Sequence, residues 1–306
     1  MKTTNLSCTV KLPDNFRRDD VLDFHRRDIQ MIAERVAEDL LLKGLMWQGH
    51  PACLNIQFHD RHATIGLAID GLIKNETDAL IRMASMVRRM LGLTQAIEDF
   101  EQHYRHHRQL GSLIAGHPGL RVPLTATPFE ALTWAITGQQ ISVNAAVSVR
   151  RKLIQTVGVQ HTGGLWCYPD AHQMAGIDEA ALRRAGFSQA KARTLIVLSQ
   201  AIEQNRLPLD AWVNAPIVDT PLADEMSRQL LEVHGIGPWT VSYALLRGFG
   251  FLDGSLHGDA AVRRKMQRLL RSDEKISEQW AQYWLADFSP WRALVAAHLW
   301  AMPLEG

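Results

Sequence analysis

The tightest constraint in this chain is a join. Residues 231–246 read LEVHGIGPWTVSYALL. One apolar-periodic run stops at Gly235, a single aliphatic residue follows, and Gly237-Pro238 opens a second run. Gly235 fits the position just past a helix, where a left-handed backbone is cheap only for glycine. Pro238 fits the first residue of the next helix, where its missing N–H costs nothing. Two helices must therefore meet across a very short turn, with Ile236 as the apolar plug between them. The second helix then begins with N–H groups free of intrahelical partners, over a surface bare of side chains. That arrangement suits an anionic oxygen such as a phosphate's. Gly235, Gly237 and Thr240 supply the N–H groups, and a Cβ at either glycine would hold the phosphate off. Taken alone, a G-x-G between helices is also what a plain helix turn looks like.

The rest of the 306-residue chain has room for two or three modest domains. Residues 1–95 mix two periods. DVLDFHRRDIQMIAERVAEDLL predicts a helix, KGLMWQ, ACLNIQF and HATIGLAI alternate as strands do, and ETDALIRMASMVRRMLGL returns to helical period. In that last run Leu80, Met83, Met86, Val87 and Met90 share a side. From residue 96 the strand signals vanish. Helices are predicted at 96–109, 128–137, 141–157, 178–185, 188–204, 222–233, 238–248, 260–271, 276–284 and 290–301, with Gly- or Pro-bearing breaks. The fold class is α+β: a small N-terminal α+β domain (an antiparallel sheet with helices, 1–95), then an all-α domain (96–306) with the helix pair at about 222–248.

Composition excludes several partners. No apolar run approaches a membrane span, and the N-terminus lacks the apolar core of a signal peptide. Cys8, Cys53 and Cys167 are odd in number and far apart, so they make no zinc knuckle and no iron–sulfur run. A cytoplasmic location is the expectation. With a net charge of +1, any nucleic-acid surface must be local. The HYRHHR cluster at 103–108 has no carboxylate or cysteine to complete a metal site, and reads as a solvated basic face.

Downstream of the join, Asp259 stands directly before a helical run. Its commonest job there is to cap the helix. A carboxylate fixed at the positive end of a helix is also placed to stabilise positive charge developing on a substrate. Arg263 and Arg264, one turn on, are candidate phosphate contacts or solvated residues, as are Lys191 and Arg193. Trp239 and Tyr243 are four apart and share a helix face, either as core or as the wall of a pocket.

The pattern h-x-h-x-G-h-G (Leu231, Val233, Gly235, Ile236, Gly237) resembles the helix-hairpin-helix element of DNA-binding proteins. Followed by a Gly-containing loop and Asp259, it resembles the HhH-GPD superfamily of DNA glycosylases. Within it, the chain is most similar to the DNA-3-methyladenine glycosylase II family over nearly its whole length. HPGLRVPLTATPFEALTWAITGQQISVNAA resembles the family's entry into the helical domain, GFSQAKARTLIVLSQAI its middle and PWRALVAAHLWAM its final helix. The resemblance implies hydrolysis of the N-glycosidic bond of an alkylated purine (3-methyladenine, 7-methylguanine type) in damaged double-stranded DNA. The base is flipped out and an abasic site is left. Asp259 would be the catalytic carboxylate. Trp239, Tyr243, Trp300 and Phe24 would line the base pocket, where electron-rich ring faces attract a cationic base. Gln140 would fill the gap in the duplex, although the best-known pattern has leucine there. Ala260 stands where the family often has an aromatic residue. The hairpin carbonyls of Leu231, Val233 and Ile236 would hold a sodium or potassium ion that bridges to phosphate. No other cofactor is implied, and a monomer is expected. Superfamily members that cut the strand carry a lysine at the position of Trp239, so no lyase activity is expected.

Two other functions remain open on the sequence: a glycosylase for oxidised or deaminated bases, and a non-catalytic helix-hairpin-helix DNA-binding protein. A small-molecule N-ribohydrolase would leave the hairpin without purpose.

Overall fold

The computed structural model describes residues 2–215 and 217–303. The N-terminal part is an antiparallel sheet of five strands in the order β1-β5-β4-β3-β2. These are β1 (Thr4–Lys11), β2 (Glu34–Val36), β3 (Leu40–Trp47), β4 (His50–Phe58) and β5 (His62–Ile69), with α1 (Arg18–His25) inserted after β1. Alternation sets the register: Leu6 faces Leu67, and Ile56 faces both Leu41 and Ile65. Helix α2 (Glu76–Met90) lays Met83, Met86, Val87 and Met90 on the sheet, as its period requires.

The helical part runs through α3 (Ile97–Tyr104), α4 (Leu110–Gly116), α5 (Pro128–Gly138), α6 (Val143–Val157), α7 (Ala171–Ala175), α8 (Glu179–Arg184), α9 (Gln189–Glu203), α10 (Leu209–Val213), α11 (Thr220–Leu231), α12 (Pro238–Ala244), α13 (Ala260–Leu269), α14 (Glu278–Ala286) and α15 (Arg292–Ala301). Two helical cores result. One gathers α5 and α9 around the hairpin. The other joins α3 and α4 to α13–α15.

Three predicted spans differ. The helix expected over DVLDFHRRDIQMIAERVAEDLL stops at His25, and its second half supplies β2 and the start of β3. Met31 takes a positive φ, and the Gly44 N–H donates to the Ala33 carbonyl, so sheet pairing overrides the local helical period. The 96–109 helix is broken after Tyr104, because His107 turns in against Phe288 while His103, Arg105, His106 and Arg108 stay exposed. The 238–248 helix widens at its end into a π-helical turn, Leu245–Phe249, closed by Gly250 at φ 75°. Widened turns of this kind recur at functional sites.

A buried ionic cluster joins the two parts. Lys43 Nζ on β3 donates to Glu34 (2.6 Å) and to Glu130 of α5 (2.8 Å). Arg150 of α6 completes it, 2.8 Å from Glu130 and 3.2 Å from Glu34. Removing one charge from such a set leaves its partners buried and uncompensated. His25, the last residue of α1, lies 2.8 Å from Glu34, so the cluster fixes how α1 sits against α5 and α6.

Candidate active site

The hairpin forms as its sequence dictates. Gly235 has φ 91° and Ile236 is buried in the α5–α9 core. Gly237 caps α12 without a side-chain cap, which leaves the first N–H groups of that helix, Thr240's included, open. The two glycines do different work, which corrects the sequence reading. A Cβ on Gly235 would come within 2.1 Å of Thr194 Oγ1, inside the protein, whereas a Cβ on Gly237 would meet nothing within 4 Å. Only Gly237 keeps side-chain bulk off the outer surface. Thr194 Oγ1 also donates to the His234 carbonyl at 3.0 Å, and Gln139 Nε2 donates to the Gly235 carbonyl and Thr240 Oγ1, both at 3.0 Å. Thr194 and Gln139, neither singled out by the sequence, are the braces of the turn.

The turn's carbonyls fit an alkali-metal ion. Among the described residues the Leu231 and Ile236 carbonyls accept no hydrogen bond, and the Val233 carbonyl accepts one, from the Ile236 N–H at 3.0 Å. Converging backbone carbonyl oxygens are a donor set that such ions take.

Beside the hairpin opens a cleft of about 740 Å³. Asp259 lies on its wall as the N-cap of α13. Its Oδ1 accepts the N–H groups of Ala261 and Val262, both at 2.9 Å. Its Oδ2 accepts the indole N–H of Trp239 at 3.0 Å, and the indole N–H of Trp300 approaches Oδ1 at 3.4 Å. The cap and the site are thus one structure: four donors hold the carboxylate facing the cleft. Trp239 and Tyr243 lie 5.5 Å apart, ring to ring, on the same wall, and Ala260 and Ala261 leave the adjoining side low. Gln140 is exposed at the cleft edge with φ 58°. Ile141 and Val143 beside it are 40% and 63% exposed, an apolar rim on the same edge.

The remaining predicted residues fall less neatly. Lys191 Nζ donates to the Thr137 and Gln139 carbonyls at 2.9 and 2.6 Å, capping the end of α5. Burial lowers its pKa. Here two of its three donors hold the end of α5. Arg193 pairs with Glu179 at 3.0 Å on the surface, Arg263 donates to the His257 carbonyl at 3.1 Å, and Arg264 is exposed. Phe24 stands one layer behind the cleft lining, with guanidiniums on its ring: Arg27 at 4.1 Å and Arg247 at 4.7 Å. Those two arginines and Trp134 line the cleft and were absent from the sequence reading. Arg247 had a signal, since it lies four residues after Tyr243 as Tyr243 does after Trp239. Arg27 had none, because its place depends on how α1 packs against the helical part.

This combination of a helix-hairpin-helix, a following carboxylate and an aromatic cleft defines a class. Residues 133–287 match the HhH-GPD superfamily of base excision DNA repair proteins, and the chain belongs to that superfamily. Residues 9–127 match the AlkA N-terminal domain. The chain is 29% identical over 194 residues to DNA-3-methyladenine glycosylase 2 of Escherichia coli, covering 62% of this chain and 63% of that protein. A 3-methyladenine DNA-glycosylase from Archaeoglobus fulgidus shares the fold with a TM-score of 0.79, at 20% identity over 96% of this chain and 97% of that one. A Schizosaccharomyces pombe 3-methyladenine DNA glycosylase in complex with abasic DNA superposes with a TM-score of 0.56, at 21% identity over 65% of this chain and 94% of the other.

Proposed function

We propose that the protein is a monofunctional DNA glycosylase that hydrolyses the N-glycosidic bond of alkylated purines and leaves an abasic site. The observation that carries this reading is Asp259, held by four donors on the wall of an aromatic cleft beside a backbone grip. Duplex DNA docks by a phosphate on the N–H groups of Gly237 and Thr240, with an alkali-metal ion on the Leu231, Val233 and Ile236 carbonyls as a second tie. Such binding weakens with added salt. The damaged nucleotide turns out of the stack into the cleft, while Gln140, flanked by Ile141 and Val143, occupies the gap.

An N-alkylated purine is a cationic leaving group. When the C1′–N bond breaks, the bonding pair neutralises the base, and positive charge passes to the sugar. The Asp259 carboxylate stabilises that charge and accepts a proton from the water that adds to C1′. The cleft lining carries no lysine among the described residues, which supports hydrolysis without strand cleavage. The protein acts as a monomer on DNA in the cytoplasm in this reading, and no helix of the described residues is long and apolar enough to cross a membrane.

The test is base release from methylated duplex DNA by wild type and Asp259→Asn. The wild type should leave alkali-labile abasic sites and no enzyme-cut strands. Release by Asp259→Asn should fall by about 10²–10³-fold, on the scale of losing a group that stabilises transition-state charge. Near-normal turnover by Asp259→Asn would remove the mechanism.

A further inference from the structure

The sequence reading gave the pocket's ring faces to a cationic base. In the structure two of those four faces, Phe24 and Trp300, are already taken, as is Trp134 beside them. Arg27 lies over Phe24 at 4.1 Å and over Trp134 at 5.4 Å. Arg247 lies over Phe24 at 4.7 Å and over Trp300 at 5.5 Å. This side of the cleft therefore presents guanidinium donors, and a purely aromatic cage is ruled out.

Neither guanidinium has all its donors taken up by the protein: Arg27 is partly exposed, and Arg247 has one donor buried. Arg27 makes no hydrogen bond and no ion pair among the described residues. Arg247 uses Nη1 on the Pro123 carbonyl at 2.8 Å, while its Nε is buried without a partner. Three other arginines with little exposure each have a carboxylate partner, Arg150 with Glu130, Arg151 with Asp28, and Arg121 with Glu98, although Arg121 Nε is also buried without a partner. A guanidinium carries five donors, so both side chains lining the cleft keep donors that a ligand there can take in place of water. Arg247 is also held in place. It sits in the π-helical turn, with its own carbonyl accepting the Thr125 N–H at 2.9 Å. Desolvation, with Arg27 nearby, brings its pKa down to about 10, so it is still a cation at neutral pH.

A base entering between these cations and Asp259 meets two demands. Its own positive charge is opposed on the arginine side, and any acceptor oxygen it carries there is rewarded. We propose that Arg27 and Arg247 are specificity-determining residues that donate to an exocyclic oxygen of the flipped base. The cleft then prefers alkylated bases that carry such an oxygen, as 7-methylguanine does, over 3-methyladenine, which has none. This rests on the alkylpurine glycosylase reading. A site built to bond a particular polar group discriminates strongly against analogues lacking it, by at least about tenfold for a single group.

The experiment uses one DNA sample treated with dimethyl sulfate, which carries both lesions, and measures the two free bases released by wild type, Arg27→Ala and Arg247→Gln in single turnover. Binding to an abasic-site duplex and thermal unfolding are measured alongside. Wild type should release 7-methylguanine faster, relative to its abundance, than 3-methyladenine. Arg27→Ala should lower the 7-methylguanine to 3-methyladenine rate ratio by about tenfold, with abasic-duplex affinity and unfolding temperature near wild type. If Arg247→Gln fails to fold, Arg27→Ala carries the test, since Arg27 has no hydrogen bond to lose. An unchanged ratio, or equal loss on both bases with weakened abasic-duplex binding, would overturn the proposal and assign the arginines to the DNA backbone. A wild type that releases neither base removes the glycosylase reading itself, and the proposal with it.

Discussion

In the proposed function, the hairpin and the arginine side of the cleft would meet the same substrate by opposite means. The hairpin offers backbone: glycines, a proline and the open end of α12, with side chains used only to brace the turn from behind. The arginine side offers side chains drawn from distant parts of the chain: Arg27 after α1, Trp134 on α5 and Arg247 in the widened turn after α12. A backbone device is local and holds whatever phosphate arrives. A side-chain device must be assembled by tertiary packing and can discriminate. The contrast also predicts which substitutions damage the fold and which damage function alone.

The largest effect should come from the buried cluster that assembles the side-chain half. Lys43→Met leaves Glu34 and Glu130 sharing Arg150 as their one buried arginine or lysine partner, with His25 beside Glu34, which should cost about 3 kcal/mol of stability. Denaturant unfolding measures this. Under conditions where the variant is folded, base release should suffer more than affinity for undamaged duplex. An equal loss of both would break the contrast.

Gly235→Ala comes next. The new Cβ meets Thr194 and the backbone keeps φ 91°, so stability should fall by about 1–3 kcal/mol. Adding Thr194→Ala should restore the steric share and leave the conformational one. No rescue would place the cost elsewhere.

Gly237→Ala should be the mildest. Its Cβ meets nothing within 4 Å, so unfolding should be unchanged, while affinity for duplex DNA should weaken by about 1 kcal/mol with a shallower salt dependence. An unfolding change with unaltered DNA affinity would reverse the roles assigned to the two glycines.

The same contrast explains what was legible in the sequence. Gly235, Ile236, Pro238 and Asp259 were readable because helix stops, plugs, starts and caps are dictated by neighbours along the chain. The Met83–Met90 face of α2 was readable for the same reason. The helix predicted beyond His25 failed because Glu34–Val36 answers to β3, which no local period reveals. Lys191 reads as a free cation, and only the packing of α9 against α5 turns it into a cap for two carbonyls. Arg27 stayed hidden because its neighbours in sequence, Arg26 and Asp28, are charged and read as a solvated stretch, while its neighbours in space are Phe24 and Trp134.

Both halves converge on Asp259, which takes donors from the hairpin helix through Trp239 and from the last helix through Trp300. The most direct test of the account is base release from methylated duplex by Asp259→Asn, with affinity for an abasic-site duplex measured on the same preparation. The account predicts release reduced by about 10²–10³-fold with affinity within a few-fold of wild type. Turnover close to wild type, with affinity unchanged, would contradict it.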